Sequence, residues 1–104
     1  MKIIFFDDSI EQFIASLEKA TIAKVLHTID LLAEFGHVLG LPHAKKIERD
    51  LLELRIRGIQ EIRFLFTLKK GVGIILSGFV KKSPKIPIRE LNLARKRLKS
   101  IDAL

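Results

Sequence analysis

The chain has 104 residues, no cysteine and a formal net charge of +7. This length predicts one domain over residues 1–104, and the lack of cysteine excludes a disulfide framework, a thiolate nucleophile and a cysteine-ligated zinc ion. The apolar run at residues 3–6 is too short for a signal sequence or a membrane span, so we expect a soluble cytoplasmic protein that contacts no membrane.

Positive charge is concentrated in the C-terminal part of the chain. Residues 1–42 hold three lysines against six acids, a balance of −3, whereas residues 43–104 hold 16 lysines and arginines against six acids, a balance of +10. Such segregation favours a polyanion or an acidic protein as the partner. A generally basic, solubilising surface is the alternative interpretation.

Two helices are predicted after a first strand. Residues 3–6 are of strand type, and a helix follows whose N-cap is Asp8 or Ser9, since Ser9 and Gln12 fit a capping box. Thr21 is the candidate cap of a second amphipathic helix, which ends at Gly36. The short connection between the two helices predicts a helical hairpin.

Strands are predicted for the middle of the chain. Residues 43–50 are charged and are expected to form an irregular connector or a short turn of helix. The period changes to two over residues 51–57 and 61–68, and after a Lys-Lys-Gly turn the apolar run 72–80 is a central strand with both faces covered. With a helix over residues 88–101, the prediction is an α+β fold: an N-terminal helical hairpin packed on a small, mainly antiparallel sheet, with a basic C-terminal helix.

Strand alternation places charged side chains on one surface. The apolar residues of the first two strands share the helix-covered face, so Glu53, Arg55 and Arg63 share the opposite, open face. Counting in twos along the third strand from Ile75 reaches Lys81 on the same face.

The expected surface suits an RNA backbone. Lys82 and Lys85 flank it, and Phe79 offers a flat platform for a splayed base. Arginine binds phosphate bidentately and lysine supplies a point charge. The alternative is a solvated polar face on which Glu53 pairs with its arginine neighbours, an arrangement of little energetic consequence.

These residue types can cleave RNA without a metal. The ribose 2′-hydroxyl attacks the adjacent phosphate, which requires a base, cations for the developing charge and an acid for the leaving oxygen. Arg55 and Arg63 suit charge stabilisation. Glu53 suits the base, although its arginine neighbours weaken its basicity, and Lys81 or Lys82 suits the acid, or the base if nearby cations favour the neutral amine. The three histidines have no zinc-ligand spacing, and neither a metal nor a cofactor is expected.

The C-terminal helix carries a further basic surface. Arg95 and Arg97 are candidates for contact with RNA through its phosphate backbone. A solvated basic helix face is an equally good interpretation.

Four segments of the chain form a recognisable set. They are residues 52–55, residues 63–66, the run Gly78-Phe79-Val80-Lys81-Lys82-Ser83-Pro84-Lys85-Ile86-Pro87, and Glu90, Ala94 and Arg97 of the last helix. The set resembles toxins of the RelE/ParE superfamily, closest to the HigB or phage-derived group. The third segment is the most specific, because its spacing of glycine, phenylalanine, paired lysines and prolines is rarely met by chance.

The resemblance implies a RelE-like fold and the role of toxin in a type II toxin–antitoxin system. Such toxins are ribosome-dependent mRNA endoribonucleases that inhibit translation in stress responses. A cognate antitoxin, often a helix-turn-helix protein that represses the shared operon, neutralises them, so operator DNA is bound only through the antitoxin. By this similarity Arg55 and Arg63 match positions that contact the RNA phosphate, and Lys81 or Lys82 matches a basic position at the end of the last strand.

The chain also departs from the family pattern. Many relatives use a tyrosine or histidine near the C-terminus, whereas this chain has no tyrosine and no histidine beyond His43. Glu53 stands where some relatives carry a basic residue. Two alternatives stay open: a ParE-like toxin that inhibits DNA gyrase without cutting RNA, and an inactive relative that only binds nucleic acid.

Overall fold

The chain has a mixed α+β architecture, in which one strand, two helices, four strands and a last helix follow one another. The computed structural model describes residues 1–102, so the last two residues of the predicted 1–104 domain lie outside the described residues. This range holds three α-helices and a five-stranded sheet. The strands are β1 (Lys2–Phe5), β2 (Ala44–Glu48), β3 (Leu51–Ile56), β4 (Ile62–Lys69) and β5 (Val72–Val80), and the helices are α1 (Asp8–Ala15), α2 (Lys19–Phe35) and α3 (Ile88–Asp102). None of these helices combines the length and the apolar character that a membrane crossing requires.

The two helices follow β1, so the helical pair is not the first element of the chain. Helix α1 is capped by Asp7, which accepts a hydrogen bond from the Ser9 backbone nitrogen at 2.9 Å. The prediction that Asp8 or Ser9 is the N-cap was therefore wrong. Helix α2 begins two residues before Thr21, whose side chain is buried. It ends at Gly36, as predicted, where a φ of 55° favours glycine.

Within residues 1–102 the sheet has the strand order β1-β5-β4-β3-β2, in which β1 and β5 are parallel and the other neighbours are antiparallel. Its edge strand β2 contradicts the prediction of a connector or a helical turn for residues 43–50. The charged residues Lys45 and Lys46 point to an irregular segment, but both are exposed on an edge strand that pairs with β3 through its backbone. Lysine on an edge strand also discourages pairing with other chains.

The sheet is covered on both faces. Helices α1 and α2 pack against the face that carries Leu54, Phe64 and Ile75, as the alternation predicted for the first two. Helix α3 packs on the other face around Leu65 and Ala94. The face that was expected to be open is therefore partly covered by α3, because the sequence gives no sign of where this helix docks.

A β-bulge in β5 changes the face count along this strand. Leu65 pairs with Ser77 and Phe66 pairs with Ile75, so Leu76 is an extra residue. Ile75 consequently packs beneath α1 and α2. The alternation had predicted it on the opposite face, together with Glu53, Arg55 and Arg63. Beyond the bulge Phe79 pairs with Arg63, so its side chain still lies on the α3 face.

Gly78 lets two phenylalanine rings approach the sheet. A Cβ atom at this position would lie 2.6 Å from Phe64 Cε1 and 3.0 Å from Phe13 Cδ2. These rings pack edge to face in the core, so neither can move aside freely.

We expect Gly78→Ala to lower the free energy of unfolding by about 1–3 kcal/mol, measured by urea denaturation. Gly40→Ala is the control, because its Cβ would meet nothing within 4 Å; equal stability of the two variants would contradict the packing argument.

Candidate functional site

A pocket of about 330 Å³ lies on the α3 face of the sheet, between the strands, the loop after β5 and the start of α3. We call it the Glu53 pocket. It is lined by Lys45, Ile47, Glu53, Arg55, Arg63, Phe79, Lys81, Ser83, Pro84, Lys85, Ile86 and Leu91. Six of the nine residues singled out from the sequence are therefore together, and five positively charged side chains surround a single carboxylate.

Glu53 is held between two arginines. Arg55 and Arg63 are cross-strand partners on β3 and β4, and Glu53 lies two residues before Arg55 on the same face. Glu53 Oε1 lies 3.1 Å from Arg55 Nε and Glu53 Oε2 lies 3.8 Å from Arg63 Nε. The Arg55 N–H is not aligned for a hydrogen bond, so its contact with Glu53 is an ion pair only. This geometry fixes the carboxylate at the floor of the pocket.

Arg63 is buried rather than exposed. Only 1% of the residue is accessible to solvent, against 6% for Glu53 and 21% for the Arg55 side chain. Burial lowers the pKa of the Arg63 guanidinium, and the nearby Glu53 carboxylate opposes that shift. Arginine nevertheless stays charged at neutral pH. A buried charge of this kind is held in place by its partners and cannot serve as a freely exposed phosphate ligand.

One donor of Arg63 is left without a partner. Arg63 Nη1 donates to the Ile62 carbonyl oxygen at 3.2 Å. Arg63 Nη2 has no hydrogen-bond partner among residues 1–102, and the nearest carboxylate oxygen, Glu61 Oε1, is 3.7 Å away. A buried donor without an acceptor is costly, so an anion that reached it would recover that cost.

The mouth of the Glu53 pocket is cationic. Lys45 and Lys85 are exposed, and neither forms a salt bridge within the described part of the chain. Lys81 is partly exposed, with its Nζ 3.8 Å from Glu61 Oε2. Phe79 is only 8% exposed, so it forms part of the wall and is not the free stacking platform that was expected. The arrangement can bind an anionic group at its mouth and hold it above a fixed carboxylate.

Lys45 and Leu91 were missed by the sequence reasoning. Lys45 reaches the pocket because it is the cross-strand partner of Glu53, a relation that depends on recognising β2 as a strand. Leu91 comes from the first turns of α3, whose packing position alternation cannot predict. Among residues 1–102, no group of three or more histidine, cysteine, aspartate or glutamate side chains is placed to hold a metal ion.

Three predicted residues are not in the Glu53 pocket. Lys82 lines a separate cleft with Arg89 and Glu90, because consecutive residues at the strand end point to opposite sides. Arg95 pairs with Glu48 through two hydrogen bonds of 3.1 and 2.8 Å, which hold the pKa of that carboxyl below its usual range.

Arg97 connects α3 to the start of the chain. Its Nη1 donates to the Leu76 carbonyl oxygen at 2.6 Å and its Nη2 to Asp7 Oδ2 at 3.2 Å. The guanidinium also lies over the Phe6 ring, 4.9 Å from its centre. These contacts hold α3 against the start of the chain, so the Arg97 guanidinium is not free to contact RNA.

Glu90 is a partly buried carboxyl in the first turn of α3. Burial raises its pKa, and Arg97 and Arg89 only partly offset this effect. A raised pKa means that the folded state binds the proton more tightly than the unfolded chain does. The contribution of the protonated Glu90 to the free energy of unfolding is fully present at pH values below the pKa of this carboxyl in the unfolded chain. It is lost as the pH rises through the higher pKa of the folded state.

We therefore expect Glu90→Gln to be more stable than the native chain at pH 7, and to lose this advantage at low pH, in thermal denaturation. Lower stability of the variant at pH 7 would contradict the prediction.

Comparison with known proteins places the chain in a family. Residues 12–99 match the family model of the phage-derived Gp49-like proteins (DUF891). The chain belongs to the Gp49-like family. No curated protein matches it. The match confirms the phage-derived part of the resemblance, and every residue that lines the Glu53 pocket of this Gp49-like protein falls inside the matched span.

Proposed function

We propose that this Gp49-like protein is the toxin of a type II toxin–antitoxin pair and acts as a ribosome-dependent endoribonuclease on mRNA in the cytoplasm. The observation that supports this most directly is the Glu53 pocket, in which Glu53 is fixed by Arg55 and Arg63 beneath a mouth of lysines. The same residues carry the resemblance to RelE/ParE toxins.

The ligand that best fits the pocket is a phosphate of single-stranded RNA. Five cationic side chains against one carboxylate attract a polyanion. Arg55 is partly exposed and lies beside the carboxylate, and Lys81 is partly exposed and lines the same pocket, so these two are the cations that meet the scissile phosphate. Lys45 and Lys85 at the rim hold the flanking backbone.

The reaction needs only groups that the pocket holds. The ribose 2′-oxygen attacks the phosphorus, and the bond from phosphorus to the 5′-oxygen breaks. Glu53 takes the proton of the 2′-hydroxyl, and Lys81 gives a proton to the leaving 5′-oxygen. The products are a 2′,3′-cyclic phosphate and a free 5′-hydroxyl.

Charge stabilisation is expected to supply most of the rate enhancement. The two arginines hold the Glu53 carboxylate in place. Arg55 faces the phosphate and stabilises its developing negative charge. Arg63 is a positioning residue that holds Glu53, and its unpartnered Nη2 becomes satisfied if a phosphate oxygen comes within reach.

The proposed partner is a cognate antitoxin, which covers the Glu53 pocket with an acidic segment. The exposed lysines at the mouth, Lys45 and Lys85, are the charges that such a segment neutralises. Contact with operator DNA then occurs only through the antitoxin.

Induced expression in a bacterial host tests the proposal. We expect growth arrest, with primer extension showing new mRNA ends that appear only in translated regions. In a reconstituted translation reaction, an mRNA with 2′-deoxyribose at the cleaved position should stay intact, because the nucleophile is missing. Arrest without new mRNA ends would instead indicate a protein target such as gyrase, and normal growth would indicate an inactive relative.

A further inference from the structure

A second cavity lies on the other side of β3. It is a groove of about 440 Å³ between α2 and the end of β3, and we call it the Lys24 groove. Ala23, Pro42 and Ile56 give it apolar walls, and His27 and His43 add two imidazole rings. Nothing in the reaction described above uses it.

The Lys24 groove adjoins the Glu53 pocket. Arg55 borders both cavities. The ladder between β2 and β3 begins at the pair of Ala44 and Leu54, and the Arg55 backbone nitrogen then donates to the His43 carbonyl oxygen at 2.8 Å. Beyond this point β3 has no ladder partner on that side among the residues that the structure describes. A chain lying on the Glu53 pocket can therefore pass the start of β2 and continue into the groove.

The charge of the Lys24 groove matches a nucleic acid backbone. Lys24, Arg55 and Arg57 are its charged residues, and none of the described residues that line it is acidic. Lys24 Nζ lies 3.4 Å from the Arg57 carbonyl oxygen, so it spans the groove from α2 to the end of β3. Cations at the rim and flat, weakly polar walls are the combination with which proteins hold single-stranded bases.

We propose that the Lys24 groove is a second nucleotide subsite, which binds a base of the RNA flanking the nucleotide cleaved in the Glu53 pocket. This inference rests on the proposed function. It extends the RNA-binding surface from one phosphate in the Glu53 pocket to a path that crosses the edge of β3. The base lies against Ala23 and the imidazoles of His27 and His43, and its phosphate meets Lys24 and Arg57.

Filling the groove tests the proposal without changing any charge. Ala23→Phe places a ring into the groove from the exposed side of α2, and Ala20→Phe is the control, because Ala20 is also exposed on α2 but does not line the groove. The probes are a 2′-O-methyl hexanucleotide and a 2′-O-methyl dinucleotide, which bind without being cleaved. Fluorescence anisotropy should show the hexanucleotide bound about tenfold more weakly by Ala23→Phe than by the native chain, with the dinucleotide and the control unaffected.

The histidines supply a second readout in the native chain. The ring signals of His27 and His43 in NMR spectra should shift when the hexanucleotide is added, but not with the dinucleotide. His37 does not line the groove, so its signal is an internal reference.

Equal affinity of the native chain for both RNAs, with binding lost in Arg55→Ala, would overturn the second subsite and leave the Glu53 pocket standing. Binding of neither RNA would overturn the subsite together with RNA as the ligand. If Ala23→Phe weakened only the complex with an acidic partner protein, the groove would be a protein-docking site and the proposal would be wrong.

Discussion

Replacing Arg55 by alanine is expected to reduce mRNA cleavage by about 10²–10³-fold, the loss typical of removing one donor that stabilises a developing negative charge. Arg55 is the arginine of the Glu53 pocket whose side chain reaches solvent, and it lies beside the carboxylate. Single-turnover cleavage of mRNA on programmed ribosomes measures the effect. Because Glu53 keeps its contact with Arg63 and the Arg55 side chain itself reaches solvent, we expect the fold to be retained, with a smaller loss in the free energy of unfolding than in Arg63→Met.

The control for Arg55→Ala is Arg49→Ala. It removes the same charge from a side chain that is 96% exposed and lies outside the pocket. Native activity in this variant would exclude a general loss of electrostatic attraction to RNA. An equal decrease in both variants would contradict a specific role for Arg55, as would native activity in Arg55→Ala.

Replacing Arg63 by methionine is expected to destabilise the fold by about 3 kcal/mol, because removing one partner of a buried ion pair leaves the other charge incompletely compensated. Glu53 would then depend on Arg55 alone while remaining 6% exposed. Urea denaturation with an unchanged m-value measures the effect. The cleavage rate should also decrease, since Glu53 is no longer fixed on both sides.

A double variant distinguishes charge from packing at this position. Arg63→Met combined with Glu53→Leu removes both buried charges, so we expect it to recover most of the stability lost in Arg63→Met. Arg55 loses its partner in the double variant, but its side chain reaches solvent. A double variant less stable than Arg63→Met would contradict the electrostatic explanation, and so would an Arg63→Met protein as stable as the exposed-site control Arg49→Met.

The period of the hydrophobic pattern predicted β3, β4 and β5 and the face that α1 and α2 cover. That period also brought Glu53, Arg55 and Arg63 together, because same-face neighbours on adjacent strands follow from alternation alone. The edge strand β2 could not be predicted in this way, since its lysines face solvent and its pairing depends on backbone hydrogen bonds. Lys45 was missed for that reason.

The bulge at Leu76 and the docking of α3 had no local signal. A bulge inserts one residue without changing composition, and only the pairing with β4 reveals it. Helix α3 buries Ala94 and directs Arg97 toward Asp7, a contact between residues 90 positions apart. Arg95 and Arg97 therefore look, in the sequence, like free cations for RNA, whereas long-range partners engage them in the folded protein.

The contact between Arg97 and Asp7 also has a consequence for the order of folding. Both β1 and α3 pack on β5, so the first and the last of the described elements meet at the same strand. Such non-local contacts form slowly, since a long loop must close before they are gained. Ile86 and Leu91, which wall the Glu53 pocket, come into place only with α3. While residues 86–102 are not yet docked, the Glu53 pocket is therefore incomplete, so we expect it to form only in the last stage of folding.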